Sequence, residues 1–287
     1  YKRQFEYSGI KPNPILEDIN NAIRLGSENS VNCVIGLGGG SVIDSAKIIA
    51  LGIPGNNDGW DIMKAKVVPE STLPIISILT LAATGTEMNR FAVVQNPATK
   101  EKIGFGEDRM YPLHSFLDPS FTMSVNREHT GYGIVDLIAH ALENYFGTGN
   151  AELADKFVFS VVKEAVEIAP AILKDPNDFD LRARMMWAAT NALNGNTFYG
   201  RRLPDFGVHA IGHTLSLLYD MPHGASLSIV YPAWLKFLKD KLGNRISEMG
   251  ESVFGISGVD EVIDKLTSIF KSVGSPVYLQ GELVGLD

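Results

Sequence analysis

Read by the spacing of its apolar positions, the chain falls into two parts. Up to Asp118, short apolar runs alternate with helix-spaced ones. A period of 3.6 predicts a helix over about Pro14 to Leu25 and another over Ser41–Leu51, with Val42, Ala46, Ile49 and Ala50 as its buried stripe. Short β-branched apolar runs predict buried strands at Val31–Leu37 and Leu73–Leu79, and Ser115–Leu117 is expected to be one more strand. Phe91–Val94 and Lys102–Phe105 form a hairpin around "NPATK". Strands alternating with helices predict an α/β domain with a parallel sheet and helices on both faces.

After Pro119 the strand-like runs nearly vanish. Helical periodicity covers Glu128–Phe146, Glu152–Leu173, Leu181–Leu193, Asp205–Leu218, Ser226–Leu238, Asn244–Val253 and Val259–Val273, with the polar loop Asp175–Asp180 between two of them. The expected organisation is therefore an α/β domain over residues 1–118 and an all-α helical bundle over residues 119–287. No internal repeat or low-complexity tract interrupts either part.

Composition narrows the function classes. A length of 287 residues suits two domains, and 45% hydrophobic with 20% charged residues is ordinary for a soluble globular chain. A net charge of −8 without any Lys/Arg-rich stripe argues against nucleic acid as the main partner. The longest apolar runs fall far short of a membrane span. Cys33, the single cysteine, sits in the first expected strand, so no internal disulfide can form and a reducing cytoplasm is expected. No signal peptide is visible at Tyr1, but the chain opens without a methionine, enters directly into a strand-like run in "YKRQFEYSGIKPNP", and stops on "GELVGLD". Pieces are expected to be missing at both ends.

The segment "GLGGGSVIDSAK" supplies the first candidate chemistry. Glycines between a strand and a helix let a ligand approach the backbone, and the first turn of the helix offers N–H groups to an anion. Ser41 can cap that helix or donate its hydroxyl. Such turns also serve packing alone. Gly36-x-Gly38-x-x-Ser41 carries serine where the dinucleotide fingerprint has its third glycine, so the turn does not settle the matter by itself. The general rule would seek a ribose-binding acid about 20 residues further on, near Asp58 or Asp61.

Four of the six histidines cluster. Asp136 and His140 stand at i and i+4, as do His209 and His213, and His223 begins the next element. One Asp-x-x-x-His pair alone is more often an i,i+4 ion pair or an N-cap-like contact than a ligand pair, and the same holds for one His-x-x-x-His. Two such pairs and a further histidine in one helical domain favour a divalent metal, because Ile134, Val135, Leu137 and Ile138 would leave an unpaired polar group desolvated. Imidazole and carboxylate without thiolate suit Fe(II), Zn(II), Mn(II) or Ni(II). His114 and His129 read as ordinary surface or loop residues.

The segments "GLGGGSVIDSAKIIA", "LTLAATGTEMN", "LDPSFT", "GIVDLIAHALENYF" and "HAIGHTLSLLYDMPHGASLSIVYPAW" together resemble the iron-containing (group III) alcohol dehydrogenase family. The nearest branch is that of the butanol dehydrogenases, which reduce aldehydes and are often NADPH-dependent. The resemblance runs from about Tyr7 to the end. It implies a dehydroquinate synthase-like two-domain fold: a Rossmann-like dinucleotide-binding domain and a helical metal-binding domain. It also implies one divalent metal, Fe(II) or Zn(II), on Asp136, His140, His209 and His223. His213 matches the family's further histidine near the nicotinamide. Gly38, Gly39, Gly40 and Ser41, with Asp44 close behind, match the pyrophosphate turn. Thr80, Thr84 and Thr86 match a second cofactor loop, and Lys102 a cofactor-side lysine. In the family the residue that reads the ribose 2′ position follows an earlier strand, upstream of this sequence, so NADP and NAD both stay open. Closing helices are likewise expected beyond "GLD".

The implied chemistry is hydride transfer between nicotinamide C4 and the carbonyl carbon of a small uncharged aldehyde or alcohol, with the metal polarising the oxygen. His213 could relay a proton or play a supporting structural part, and the outer nitrogens of the ligand histidines are expected to be held by carbonyls or acids. Phe198 and Tyr199 line a substrate pocket or fill the core. A cytoplasmic homo-oligomer, a dimer, is expected. Two rivals stand. A dehydroquinate-synthase-like lyase, or a glycerol-dehydrogenase-like relative with another substrate, shares the plan. The lyase would need a basic cluster, for which Arg201-Arg202 is the adjacent pair. The other rival is an inactive metal-binding member.

Overall fold

The structure, a computed structural model, describes residues 3–279; the "GELVGLD" segment lies outside the described residues. The chain divides into two compact units, Tyr1–Leu81 with Thr86–Asp118, and Ala82–Gly85 with Pro119–Asp287.

In the first unit the order is α1 (Leu16–Glu28), β1 (Val34–Gly38), α2 (Gly40–Gly52), α3 (Gly59–Met63), β2 (Ile75–Leu79), β3 (Phe91–Asn96), β4 (Glu101–Gly106) and β5 (His114–Phe116). β1, β2 and β5 form a parallel sheet in which Val34 pairs with Ile75, Gly38 with Leu79, and Ile76 with His114. β3 and β4 form the antiparallel hairpin. A core of Ile19, Ile23, Ile48, Leu51, Trp60, Ile62, Met63, Ala92 and Val94 ties α1, α2 and α3 to that hairpin.

Several expectations are corrected here. The described residues before α1 contain no strand, only a bridge from Ile15 to Gln95. Cys33 precedes β1 and is half-buried. β1 is not buried on both sides. α2 packs against β1 and β2, while Ile35, Leu37 and Phe116 on the other side are 59%, 60% and 57% exposed. An unbroken apolar run reads the same whether one face or two are covered, so the run could not reveal this. Among the described residues, the sheet therefore lacks the second helical layer.

The second unit contains α4 (Arg127–Tyr145), α5 (Glu152–Lys174), α6 (Phe179–Leu193), α7 (Gly207–Tyr219), α8 (His223–Phe254) and α9 (Val259–Ser272). α4 is buried on nearly every side and packs against α5, α6 and α8. Asn126 starts it by accepting the N–H of His129 at 2.8 Å. The helices expected at Ser226–Leu238 and Asn244–Val253 are one, α8, with Pro232 inside it. Lys239–Gly243 breaks the apolar stripe but not the helix, since Lys and Leu are good helix formers and one glycine costs only about 1 kcal/mol. Among the described residues no helix is long and apolar enough to cross a membrane.

Candidate functional site

A constellation of potential metal ligands sits in the second unit. α4 carries Asp136 and His140, α7 carries His209, and His223 is the first residue of α8. One potential ligand atom from each lies within 4.8 Å of all the others. Asp136 Oδ1 stands 3.6 Å from His140 Nδ1, 3.7 Å from His209 Nε2 and 3.5 Å from His223 Nε2. These separations are too long for hydrogen bonds. They match the edge of a tetrahedron of ligands, about 3.4 Å for bonds of about 2.1 Å to zinc. Asp136 Oδ1, His140 Nδ1 and His209 Nε2 are buried without a hydrogen-bond partner. Buried polar atoms left unmatched are costly, and a cation at their centre would satisfy all of them. The residues fit a divalent metal.

The electrostatics agree with that fit. Burial pushes His140 down to about 4, so it offers a lone pair at neutral pH. Burial also opposes charge on His209, but the carboxylates of Glu143 and Asp136 outweigh it and raise His209 to about 9. Burial acts upward on Asp136 too, and the surrounding histidines more than offset it, holding the carboxyl well below its usual range. His140 and His209 stack with ring centroids 4.5 Å apart. His213, one turn along α7, is half-buried, with its ring 6.0 Å from that of His209 and 5.3 Å from that of His223.

The glycine turn lies in the first unit. α2 begins at Gly40 with Gly39 as N-cap, so Ser41 is inside the first turn and is not the cap. A Cβ on Gly38 would stand 2.5 Å from Val42 Cγ2, so this glycine is required by packing whatever binds there. Thr80 follows β2 and donates its backbone N–H to Gly38 O at 3.0 Å, which brings the second loop beside the turn. Thr84 is half-buried and falls in the Ala82–Gly85 segment of the second unit.

Asp44 and Thr86 point into the interior. Thr86 Oγ1 donates to Asp44 Oδ1 at 2.5 Å, and Val93 N donates to Asp44 Oδ2 at 2.8 Å. Lys47, fully buried, donates to Thr86 Oγ1 at 2.7 Å, Asn89 Oδ1 at 3.1 Å and Phe91 O at 2.7 Å. Burial draws Lys47 down to about 8 and pushes Asp44 up. Lys102, on β4, donates to Asn13 Oδ1 at 2.8 Å. Asp58 is a structural cap: it starts α3 by accepting from Trp60 N and Asp61 N. Asp61 pairs with Lys66.

Two residues escaped sequence reasoning. Glu143 is fully buried; one oxygen bonds His209 Nδ1 and the other accepts the His209 backbone N–H at 3.1 Å. Its signal was present, since Asp136, His140 and Glu143 stand at i, i+4 and i+7 on one face of α4. Lys47 lies three residues after Asp44, and that spacing puts the two charges on one face of α2. Tyr199 is 63% exposed and its ring covers Gly195; Phe198 is half-buried. Arg201 is withdrawn into the interior, where it pairs with Asp155, itself held by Arg245 at 2.8 Å. Arg202 is exposed, so the pair makes no basic cluster.

The chain matches known proteins along most of its length. Residues 2–119 match the model of the iron-containing alcohol dehydrogenases, and residues 130–283 match that of the C-terminal part of the Fe-containing alcohol dehydrogenase family. The chain is 37% identical to the probable NADH-dependent butanol dehydrogenase 2 of Bacillus subtilis, over 98% of this chain and 74% of that one. It is 34% identical to the NADPH-dependent aldehyde reductase YqhD of Escherichia coli, over 98% of this chain and 75% of that one. The crystal structure of the NADH-dependent butanol dehydrogenase A of Thermotoga maritima superposes with a TM-score of 0.93 at 38% identity, covering 97% of this chain and 71% of that one. The chain belongs to the iron-containing alcohol dehydrogenase family.

Proposed function

We propose that the protein is a metal-dependent, NAD(P)-linked alcohol dehydrogenase that reduces small uncharged aldehydes and oxidises the corresponding alcohols. The observation that carries this reading is the ring of Asp136, His140, His209 and His223, whose facing atoms are spaced for a cation and lack hydrogen-bond partners at Asp136, His140 and His209. The names of its relatives, butanol dehydrogenases and an aldehyde reductase, support the substrate class.

In this reading the four residues hold one divalent metal, Fe(II) or Zn(II). When bound, the metal supplies a Lewis acid for the charge that develops on the carbonyl oxygen, and the nicotinamide supplies or accepts the hydride. The chain's own part is to bind, orient and move protons. His140 meets a cation already neutral, whereas His209 must first shed its proton. His213 flanks His209 and His223 and is half-buried, which suits it to hold the proton exchanged with the substrate oxygen.

For the coenzyme, the N–H groups at the start of α2, from Gly39 to Ser41, take the diphosphate, with Gly38 and Thr80 shaping the turn. Thr84 and Lys102 serve as further coenzyme contacts. Asp44 and Thr86 bond each other in the interior, so their part is to fix the loop that carries these contacts. The lyase alternative is less well supported, because Arg201 is buried against Asp155 while Arg202 is exposed, so the two make no basic cluster for an anionic substrate.

Deuterium transfer tests the proposal. With NADH or NADPH carrying deuterium on the transferred position of C4 and butanal as substrate, the metal-loaded protein should yield butanol labelled at C1. Unlabelled product, or none with either coenzyme and either metal, would overturn it.

A further inference from the structure

Resting on the metal-site reading above, we propose that Glu143 is a positioning residue for that site: it clamps His209 at two points and fixes the ring so that Nε2 is the face offered to the cation.

The geometry is specific. Glu143 sits on α4, one turn beyond His140, with no exposed surface. Both of its oxygens are taken by the same residue, one by the His209 ring at Nδ1 and the other by the His209 backbone N–H at 3.1 Å. A carboxylate accepts and does not donate, so Nδ1 must carry the hydrogen. In the neutral ring the lone pair is then on Nε2, the nitrogen that faces Asp136 Oδ1 at 3.7 Å and has no hydrogen-bond partner. The backbone contact does a second job. α7 starts from Phe206 in the left-handed region with no side-chain cap of its own, and Glu143 takes the place of that cap from a neighbouring helix. One carboxylate thus fixes where the helix carrying His209 begins and which nitrogen of the ring looks inward.

Charge follows the same logic. Asp136 beside the cation and Glu143 behind His209 together offset a divalent charge in a place where an unbalanced ion would be costly. Sequence alone could expect an acid behind a ligand histidine without naming it; the fold names Glu143.

The test measures metal affinity, not turnover. Zn(II) and Co(II) affinities are read by competition with a chelator for the wild-type protein, Glu143→Gln, His209→Ala and the double variant, each with its metal-free melting temperature. Glu143→Gln should bind about 10- to 100-fold more weakly and should weaken binding no further in the His209→Ala background. Wild-type affinity in Glu143→Gln, with His209→Ala impaired, would overturn this proposal while leaving the metal site standing. So would an equal loss in both backgrounds, since Glu143 would then not act through His209. Equal, negligible binding by wild type and His209→Ala would overturn the metal site itself. A measurement on the wild-type protein covers the case in which the variants do not fold. With ¹⁵N-labelled histidine and Zn(II) bound, the His209 ring should show its hydrogen on Nδ1. A hydrogen on Nε2 would contradict the assignment.

Discussion

A Cβ on Gly224 would stand 2.3 Å from the carbonyl oxygen of Tyr132. The first turn of α8 is thus pressed directly onto the backbone of α4, and this approach sets His223 beside Asp136, at 3.5 Å. Backbone cannot retreat as a flexible side chain can. Gly224→Ala must push the start of α8 away and take His223 with it. Metal affinity should fall by at least about 10-fold, the scale seen when a ligand loses its support, and chelator competition would measure it. Unchanged affinity would show that His223 is not held by this contact.

Proton release should accompany metal binding. In the metal-free protein His209 is raised to about 9 and His140 lowered to about 4. At pH 7.5 the first is charged and the second neutral, so a cation taking both displaces one proton from His209. Apparent affinity from this group should rise about tenfold per pH unit below 9 and level off above it. Calorimetry in buffers of different ionisation enthalpy counts the protons. A count of zero at pH 7.5 would contradict the charged His209.

Lys47 holds the first unit together from inside. Its ammonium satisfies Thr86, Asn89 and the carbonyl of Phe91 while facing Asp44. Lys47→Met removes three hydrogen bonds and the positive charge that faces Asp44, which keeps its bonds from Thr86 and Val93. A loss of about 3 kcal/mol is expected from the three bonds to a charged group, seen as earlier urea unfolding of the first unit. Chelator-measured metal affinity in the second unit should not change, because the metal residues all lie there.

Arg201 offers the opposite contrast. It is buried against Asp155, with its guanidinium 5.8 Å from the centre of the Tyr145 ring. Arg201→Leu leaves Asp155 with Arg245 alone and should lower the melting temperature. The Michaelis constant for a neutral aldehyde should stay within about twofold, as for a substitution outside the substrate's contacts. A large rise in that constant would return Arg201 to the substrate's side and revive the lyase reading.

Periodicity carried most of this fold because helices such as α1, α5 and α9 bury one stripe and the strands are short. Asp136 with His140, and His209 with His213, were legible because i,i+4 spacing puts polar groups on one helix face wherever the helix packs. Glu143 lay on the same face as Asp136 and His140, but spacing cannot show which partner a carboxylate meets across helices. The continuity of α8 through Gly243 was hidden because a polar stretch on an exposed helix looks like a loop. The open face of β1 was hidden for a different reason: Ile35 and Leu37 are as apolar exposed as they would be buried.

Metal-dependent hydride transfer is read from coenzyme absorbance. The protein, loaded in turn with Fe(II) and Zn(II), is mixed with butanal and NADH or NADPH, beside a His209→Ala variant treated identically. Coenzyme oxidation should need the metal, be lost on chelation, and be absent in the variant. Oxidation that survives both chelation and His209→Ala, or no oxidation by wild-type protein shown to hold its metal, would contradict metal-dependent hydride transfer.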